Sequence, residues 1–139
     1  MEQVPRYSIG DFLADARAKI ERLSPADAFV AQRRGATIVD IRTAADRTAE
    51  GAIPHAVVIA LSVLPWRMDP DAEATDRRVN DLSHHMILVC NDGYSSSWAA
   101  AVLSDIGFTA ISDISGGFRA WRAAELPTVG SSGVPPKPV

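Results

Sequence analysis

Four short, largely apolar runs, each bounded by turn or cap residues, constrain this chain more than any other feature. They are Thr37-Ile38-Val39-Asp40-Ile41, Val57-Val58-Ile59-Ala60, Met86-Ile87-Leu88-Val89 and a last run over 110–114. Runs this brief, rich in β-branched and aliphatic residues, read as buried strands. Segments with helical spacing separate them, and that alternation predicts an α/β fold. Its doubly wound, parallel sheet has about five strands, with helices on both faces. Ligands of such sheets bind at the carboxyl ends of the strands.

The helical segments carry their own start and stop signals. Ser8 with Asp11 resembles a capping box, and Ile9, Leu13, Ala16, Ile20 and Leu23 recur at helical spacing, so residues 1–23 are expected to form an N-terminal helical extension. Ser24-Pro25-Ala26-Asp27 opens a second helix toward Arg34, and Gly35 ends it. Residues 43–50 read as a short helix or turn. Gly51-Ala52-Ile53-Pro54 then introduces the second strand, and Ser62 is placed to cap a short helix through Trp66. Residues 69–81 are polar, contain Pro70 and read as a surface loop. Trp98, Val102 and Ile106, with Ala99 and Leu103 beside them, define a helix that stops at Gly107, and Gly116-Gly117 precede a last helix over 118–124. At 139 residues the chain fits one domain, here 1–127, and the Pro-, Gly- and Ser-rich stretch 128–139 reads as a disordered tail.

Charge and cysteine usage narrow the function classes. A net charge of −3 supplies no basic excess to neutralise phosphates, which argues against nucleic acid or an anionic membrane as the main partner. No signal-peptide pattern and no membrane-length apolar stretch is seen, and a single cysteine excludes an internal disulfide, so a reducing, cytoplasmic setting is expected. One cysteine also cannot assemble a CxxC or Cys/His zinc site, and His55, His84 and His85 have no spacing that argues for metal binding. A small domain without an evident apolar surface stripe is expected to be a monomer or weak homodimer.

That one cysteine, Cys90, follows the Met86-to-Val89 run and opens Cys90-Asn91-Asp92-Gly93-Tyr94-Ser95-Ser96 ahead of a helix. A solitary cysteine is often just a small buried hydrophobe. Here Gly93 allows a turn in which successive N–H groups from Asn91 to Ser96 converge as an anion-binding nest, the setting that stabilises a thiolate. Ser95 and Ser96 either donate to a bound sulfur or cap the helix. Asp92 places a negative charge on the rim and should weaken an anionic donor. Asp40 and Arg42 flank the end of the first strand, where they either brace the cysteine loop or fix a strand-to-helix turn. Arg119 either faces the site or is exposed, and Trp66, Trp98 and Trp121 read as packing residues.

Taken together, Val39-Asp40-Ile41-Arg42, Gly51-Ala52-Ile53-Pro54-His55-Ala56, the Cys90 loop, Gly116-Gly117-Phe118-Arg119-Ala120-Trp121 and Leu126-Pro127 resemble a rhodanese-like domain, close to the single-domain thiosulfate sulfurtransferases. The resemblance spans roughly 24–127. It implies sulfur transfer: Cys90 would take a sulfane sulfur from a small-molecule or protein donor as a persulfide and pass it to a thiol or cyanide, with no metal or organic cofactor. It also places Asp40 and Arg42 near the site. Two departures stand out. Ser95 occupies a position where many members have arginine, and Ala52 and His55 alter the family's Gly-His-Ile-Pro-Gly-Ala pattern. The rival readings are a related cell-cycle-type phosphatase, disfavoured because 91–97 contains no arginine, and a non-catalytic binding or regulatory module.

Overall fold

Each apolar run becomes a strand of one parallel sheet in the computed structural model, which describes residues 4–130. In chain order the elements are α1 (Ile9–Ala18), β1 (Glu21–Leu23), α2 (Pro25–Arg33), β2 (Thr37–Asp40), α3 (Ala44–Glu50), β3 (Val57–Val58), a 3₁₀ turn (Leu61–Val63), α4 (Leu64–Met68), β4 (Met86–Val89), α5 (Ser95–Asp105), β5 (Ile111–Ile114) and α6 (Gly117–Ala123). The strands lie in the order β1-β5-β4-β2-β3, every pair parallel. β4, which delivers Cys90, is therefore central.

Strand alternation divides the core into two layers. On one face Val39, Met86, Leu88 and Cys90 pack with Leu64 and Met68 of α4 and Ala99 and Leu103 of α5. On the other, Ile38, Ile87, Val89 and Ile114 pack with Ala28 of α2 and Phe118 and Trp121 of α6. Fully burying each large apolar side chain contributes about 1.5–3 kcal/mol, so the central strands anchor both layers. Two helices start as expected, with Ser8 and Ser24 accepting hydrogen bonds from the main-chain N–H groups of Asp11 and Asp27, and the segment read as a short helix or turn becomes α3, capped by Thr43, which accepts from Asp46 N–H.

Several expectations are corrected. The first helix does not run to Leu23. It ends at Ala18, and Glu21–Leu23 becomes an edge strand on β5, with Arg22 opposite Asp113. Pairing with a neighbouring strand, which no local pattern records, outweighs helical spacing there. Ser62 caps no helix, since the N-cap positions of the turn and of α4 are Ala60 and Val63 and neither has a side-chain cap. In α5 Trp98 and the capping Ile106 are exposed and Val102 is half-buried, while Ala99, Ala100 and Leu103 face the core. The polar stretch 69–81 also contributes one fully buried side chain, Val79. Beyond Pro127 the chain remains packed: Val129 is buried and exchanges two 2.8 Å main-chain hydrogen bonds with Ala52. The rest of the expected tail, 131–139, lies outside the described residues. Among the described residues no helix is long and apolar enough to cross a membrane.

Candidate active site

Cys90 leaves the carboxyl end of β4 and is only 6% exposed. Gly93, at φ +86°, turns the chain back over it; a Cβ there would lie 2.9 Å from the Gly116 nitrogen. The turn aims main-chain donors at the sulfur: the N–H of Gly93 reaches Sγ at 3.1 Å and that of Ser96 at 3.4 Å. The Ser96 hydroxyl oxygen is 3.3 Å from Sγ. Asp92, Tyr94 and Ser95 have main-chain N–H groups without a partner among the described residues, so the loop retains donor capacity for a further anionic atom.

Two opposing effects set the acidity of the thiol. Burial pushes its pKa up, and this is the largest single effect. The Ser96 and Ser95 hydroxyls and the N–H groups of Ser96 and Gly93 push it down, and together they win, holding the thiol below its ordinary value.

The strand-loop junction is held by the start of α6. Gly117, at φ +67°, brings that helix so close that a Cβ would sit 2.5 Å from the Asn91 carbonyl oxygen. Phe118 N–H then donates to the Cys90 carbonyl at 2.8 Å and Arg119 N–H to the Asn91 carbonyl at 3.1 Å. The Gly116-Gly117 motif thus fixes the backbone on either side of the sulfur.

Behind the loop lies a polar cluster that the sequence reading missed. Asp113, wholly buried on β5, accepts from the hydroxyls of Ser96 at 2.8 Å and Ser97 at 2.7 Å, and Arg22 Nε donates to it at 2.9 Å. Arg17 and Arg22 each donate to the Gly93 carbonyl at 2.9 Å. A signal for Asp113 was present: a carboxylate inside a short, otherwise buried strand requires a cationic or hydroxyl partner. Arg17 and Arg22 had none, because both belong to the segment read as a helical extension at the N-terminus.

The remaining expected residues are placed as follows. Asp40 and Arg42 form a buried two-pronged pair, with Arg42 Nη2 2.8 Å and Nε 3.1 Å from the carboxylate. Arg42 also donates to the Gly51 carbonyl at 2.9 Å and stacks on Phe118, 4.1 Å from the ring centre. The pair therefore braces the strand-to-helix turn while Arg42 lines the wall beside the loop. Arg42 Nη1 and Asn91 Oδ1 are buried without a partner among the described residues. Asp92 does not stand alone on the rim: Arg119 donates to it at 2.7 Å and to Glu50 at 3.0 and 3.1 Å. Arg119 holds the Glu50 carboxyl below its usual range. Tyr94 is exposed and lies under the Arg17 guanidinium. Ser95 begins α5 beside the sulfur.

Over Cys90 opens a cavity of about 920 Å³. One wall is Leu61, Leu64, Pro65 and Trp66, and the other is Trp98, Ala99 and Val102. Trp121 is core, as expected, but Trp66 and Trp98 are 61% and 43% exposed and stand at the mouth, which corrects their reading as packing residues. No histidine lines this cavity among the described residues. His84 and His85 are hydrogen-bonded elsewhere, to Thr37 and Ser112.

Comparison with known proteins agrees with this geometry. The family model "Rhodanese-like domain" matches residues 25–124. The thiosulfate sulfurtransferase GlpE of Pseudomonas entomophila is 34% identical over 106 residues, covering 76% of this chain and 88% of that protein. A sulfurtransferase of Allochromatium vinosum is 31% identical over 96 residues, covering 69% and 80%. Among solved structures, a protein of unknown function from Rhodopseudomonas palustris, called a possible tyrosine phosphatase, superimposes with a TM-score of 0.83 at 30% identity over 93% of this chain and 99% of that one. The parallel sheet, the Cys90 loop locked by Gly117 and a family match over most of the length lead to one conclusion: this chain belongs to the rhodanese-like domain family.

Proposed function

We propose that the chain is a sulfurtransferase that carries a sulfane sulfur on Cys90 as a persulfide. The observation that carries this reading is the convergence of two main-chain N–H groups and the Ser96 hydroxyl on a thiol that they make more acidic than usual. Cys90 thiolate attacks the outer sulfur of a donor, a new S–S bond forms, and the donor's S–S bond breaks with its electron pair leaving on sulfite, sulfinate or thiolate. The same donors hold the persulfide anion until a thiol or cyanide removes its outer sulfur. Asn91, Asp92, Gly93, Tyr94, Ser95 and Ser96 form the substrate cradle, and Asp40 and Arg42 support its wall. A free thiol that must be reduced to act suits a cytoplasmic setting.

A phosphatase reading has less support. Phosphoryl transfer needs cationic stabilisation of the transferring oxygens, yet Arg17 and Arg22 turn to the back of the loop, onto Gly93 and Asp113, rather than into the bowl. The test is to incubate the protein with thiosulfate and weigh it intact. One added sulfur atom is expected on the wild type and none on Cys90→Ser. A wild type left unmodified by both thiosulfate and an organic thiosulfonate, or equal loading of Cys90→Ser, would favour a non-catalytic binding module.

A further inference from the structure

The cavity over Cys90 is far larger and more apolar than a thiosulfate ion requires. Its volume of about 920 Å³ lies in the range of about 300–1,000 Å³ typical of sites that enclose a drug-sized organic molecule. Cys90 is recessed at its floor, so whatever delivers sulfur must pass between the two walls. Trp66 and Trp98 stand on opposite walls and leave much of their ring surface in water. Two large aromatic faces at the mouth of a concave site mark a surface that a ligand covers.

Charge points the same way. Arg42 is the one basic residue lining the cavity among the described residues, and it is tied to Asp40 and Gly51, whereas Asp46 and Asp92 both face the cavity. A small dianion finds only the loop N–H groups and Nη1, the one Arg42 nitrogen without a partner among the described residues, with Asp92 already paired to Arg119. An apolar arm finds Leu61, Leu64, Val102 and two indoles.

Resting on the sulfurtransferase reading, we propose that the preferred donor is an organic sulfane-sulfur compound with an aromatic arm, held between Trp66 and Trp98, rather than inorganic thiosulfate. With an arenethiosulfonate, Cys90 thiolate attacks the terminal sulfur, the Cys90 S–S bond forms, and the bond to the sulfonyl sulfur breaks. The arenesulfinate leaves with the electron pair, and the persulfide keeps the negative charge. No oxidant, reductant or metal enters the balance.

The experiment compares benzenethiosulfonate with methanethiosulfonate as donors, each rate divided by the donor's own rate with a free thiol so that leaving-group reactivity cancels. The corrected kcat/KM is expected to be at least about tenfold higher for the aromatic donor. Trp66→Ala, Trp98→Ala and the double variant should pull the ratio toward one, with Trp66→Phe retaining most of it. Benzenesulfinate, the unreactive product, should quench the exposed tryptophan fluorescence and compete with the donor, while methanesulfinate does neither. Equal corrected rates for the two donors in the wild type, or a ratio unmoved in the folded double variant, would overturn the proposal and leave sulfur transfer itself standing. Failure of every donor to load Cys90 would instead remove the sulfurtransferase reading, and this proposal with it.

Discussion

The Asp113 carboxylate lies 2.8 Å from the Ser96 hydroxyl, which is itself 3.3 Å from the Cys90 sulfur. Ser96 has one hydroxyl hydrogen for two claimants. While it points at Asp113, the Ser96 oxygen can accept from a neutral Cys90 thiol; once the sulfur is ionised, the same hydrogen can swing toward it. Arg22 on Asp113 eases that exchange, because it already supplies the carboxylate with donors.

Ser96→Ala keeps the main-chain donor but removes the hydroxyl, so the Cys90 pKa should rise toward the ordinary thiol value. The pH profile of alkylation by iodoacetamide is expected to shift to higher pH, with slower persulfide formation near neutrality. A folded thiol more acidic than the unfolded one contributes stability that is present above the unfolded pKa and fades as pH falls through the folded one. In Ser96→Ala this dependence should flatten, and an unchanged alkylation profile would remove Ser96 from the account.

Asp113→Asn separates support from tuning. Asparagine removes the charge facing Arg22 and turns one of the two acceptor oxygens into an NH2 donor, so the Oδ2 shared by Ser96 and Ser97 and the Oδ1 taken by Arg22 cannot both be kept. The expected cost is about 2–4 kcal/mol of unfolding free energy, read by urea denaturation. The released Ser96 hydroxyl should donate to the sulfur and make the thiol more acidic still. A destabilised protein whose thiol titrates as in the wild type would mean that Asp113 only holds the fold.

Asp92 is half-exposed and paired with Arg119, so its effect on an anionic donor should be small. Asp92→Asn is expected to lower KM for thiosulfate about twofold in dilute buffer and to have no effect at high salt, given the weak and screened energetics of surface pairs. Arg119→Ala should move KM the other way. A salt-independent change would point to loop geometry rather than charge.

His55 adopts φ +65°, a left-handed conformation, at the position where the family pattern carries glycine. His55→Gly relieves that strain, worth roughly 1–2 kcal/mol for an L-residue, against a loss of about 0.4–1 kcal/mol from the freer unfolded chain. A modest net rise in melting temperature is expected by calorimetry, and sulfur loading should not change. A fall in melting temperature would show that the imidazole makes a stabilising contact at this turn.

Local chemistry alone determined much of this protein. The runs at β2 and β4, the caps at Ser8 and Ser24, and the placement of Cys90 before Gly93 were legible, because strand burial, helix capping and a positive-φ turn each depend on a few adjacent residues. Only the tertiary structure decided what surrounds the sulfur. Arg17 and Arg22 reach the loop from more than seventy residues away in sequence, and Arg22 does so because three residues that continue a helical spacing pair instead with β5. Trp66 and Trp98 belong to different helices and become one mouth when α4 and α5 pack side by side. Such contacts arise from strand order and helix packing, which spacing along a chain does not encode.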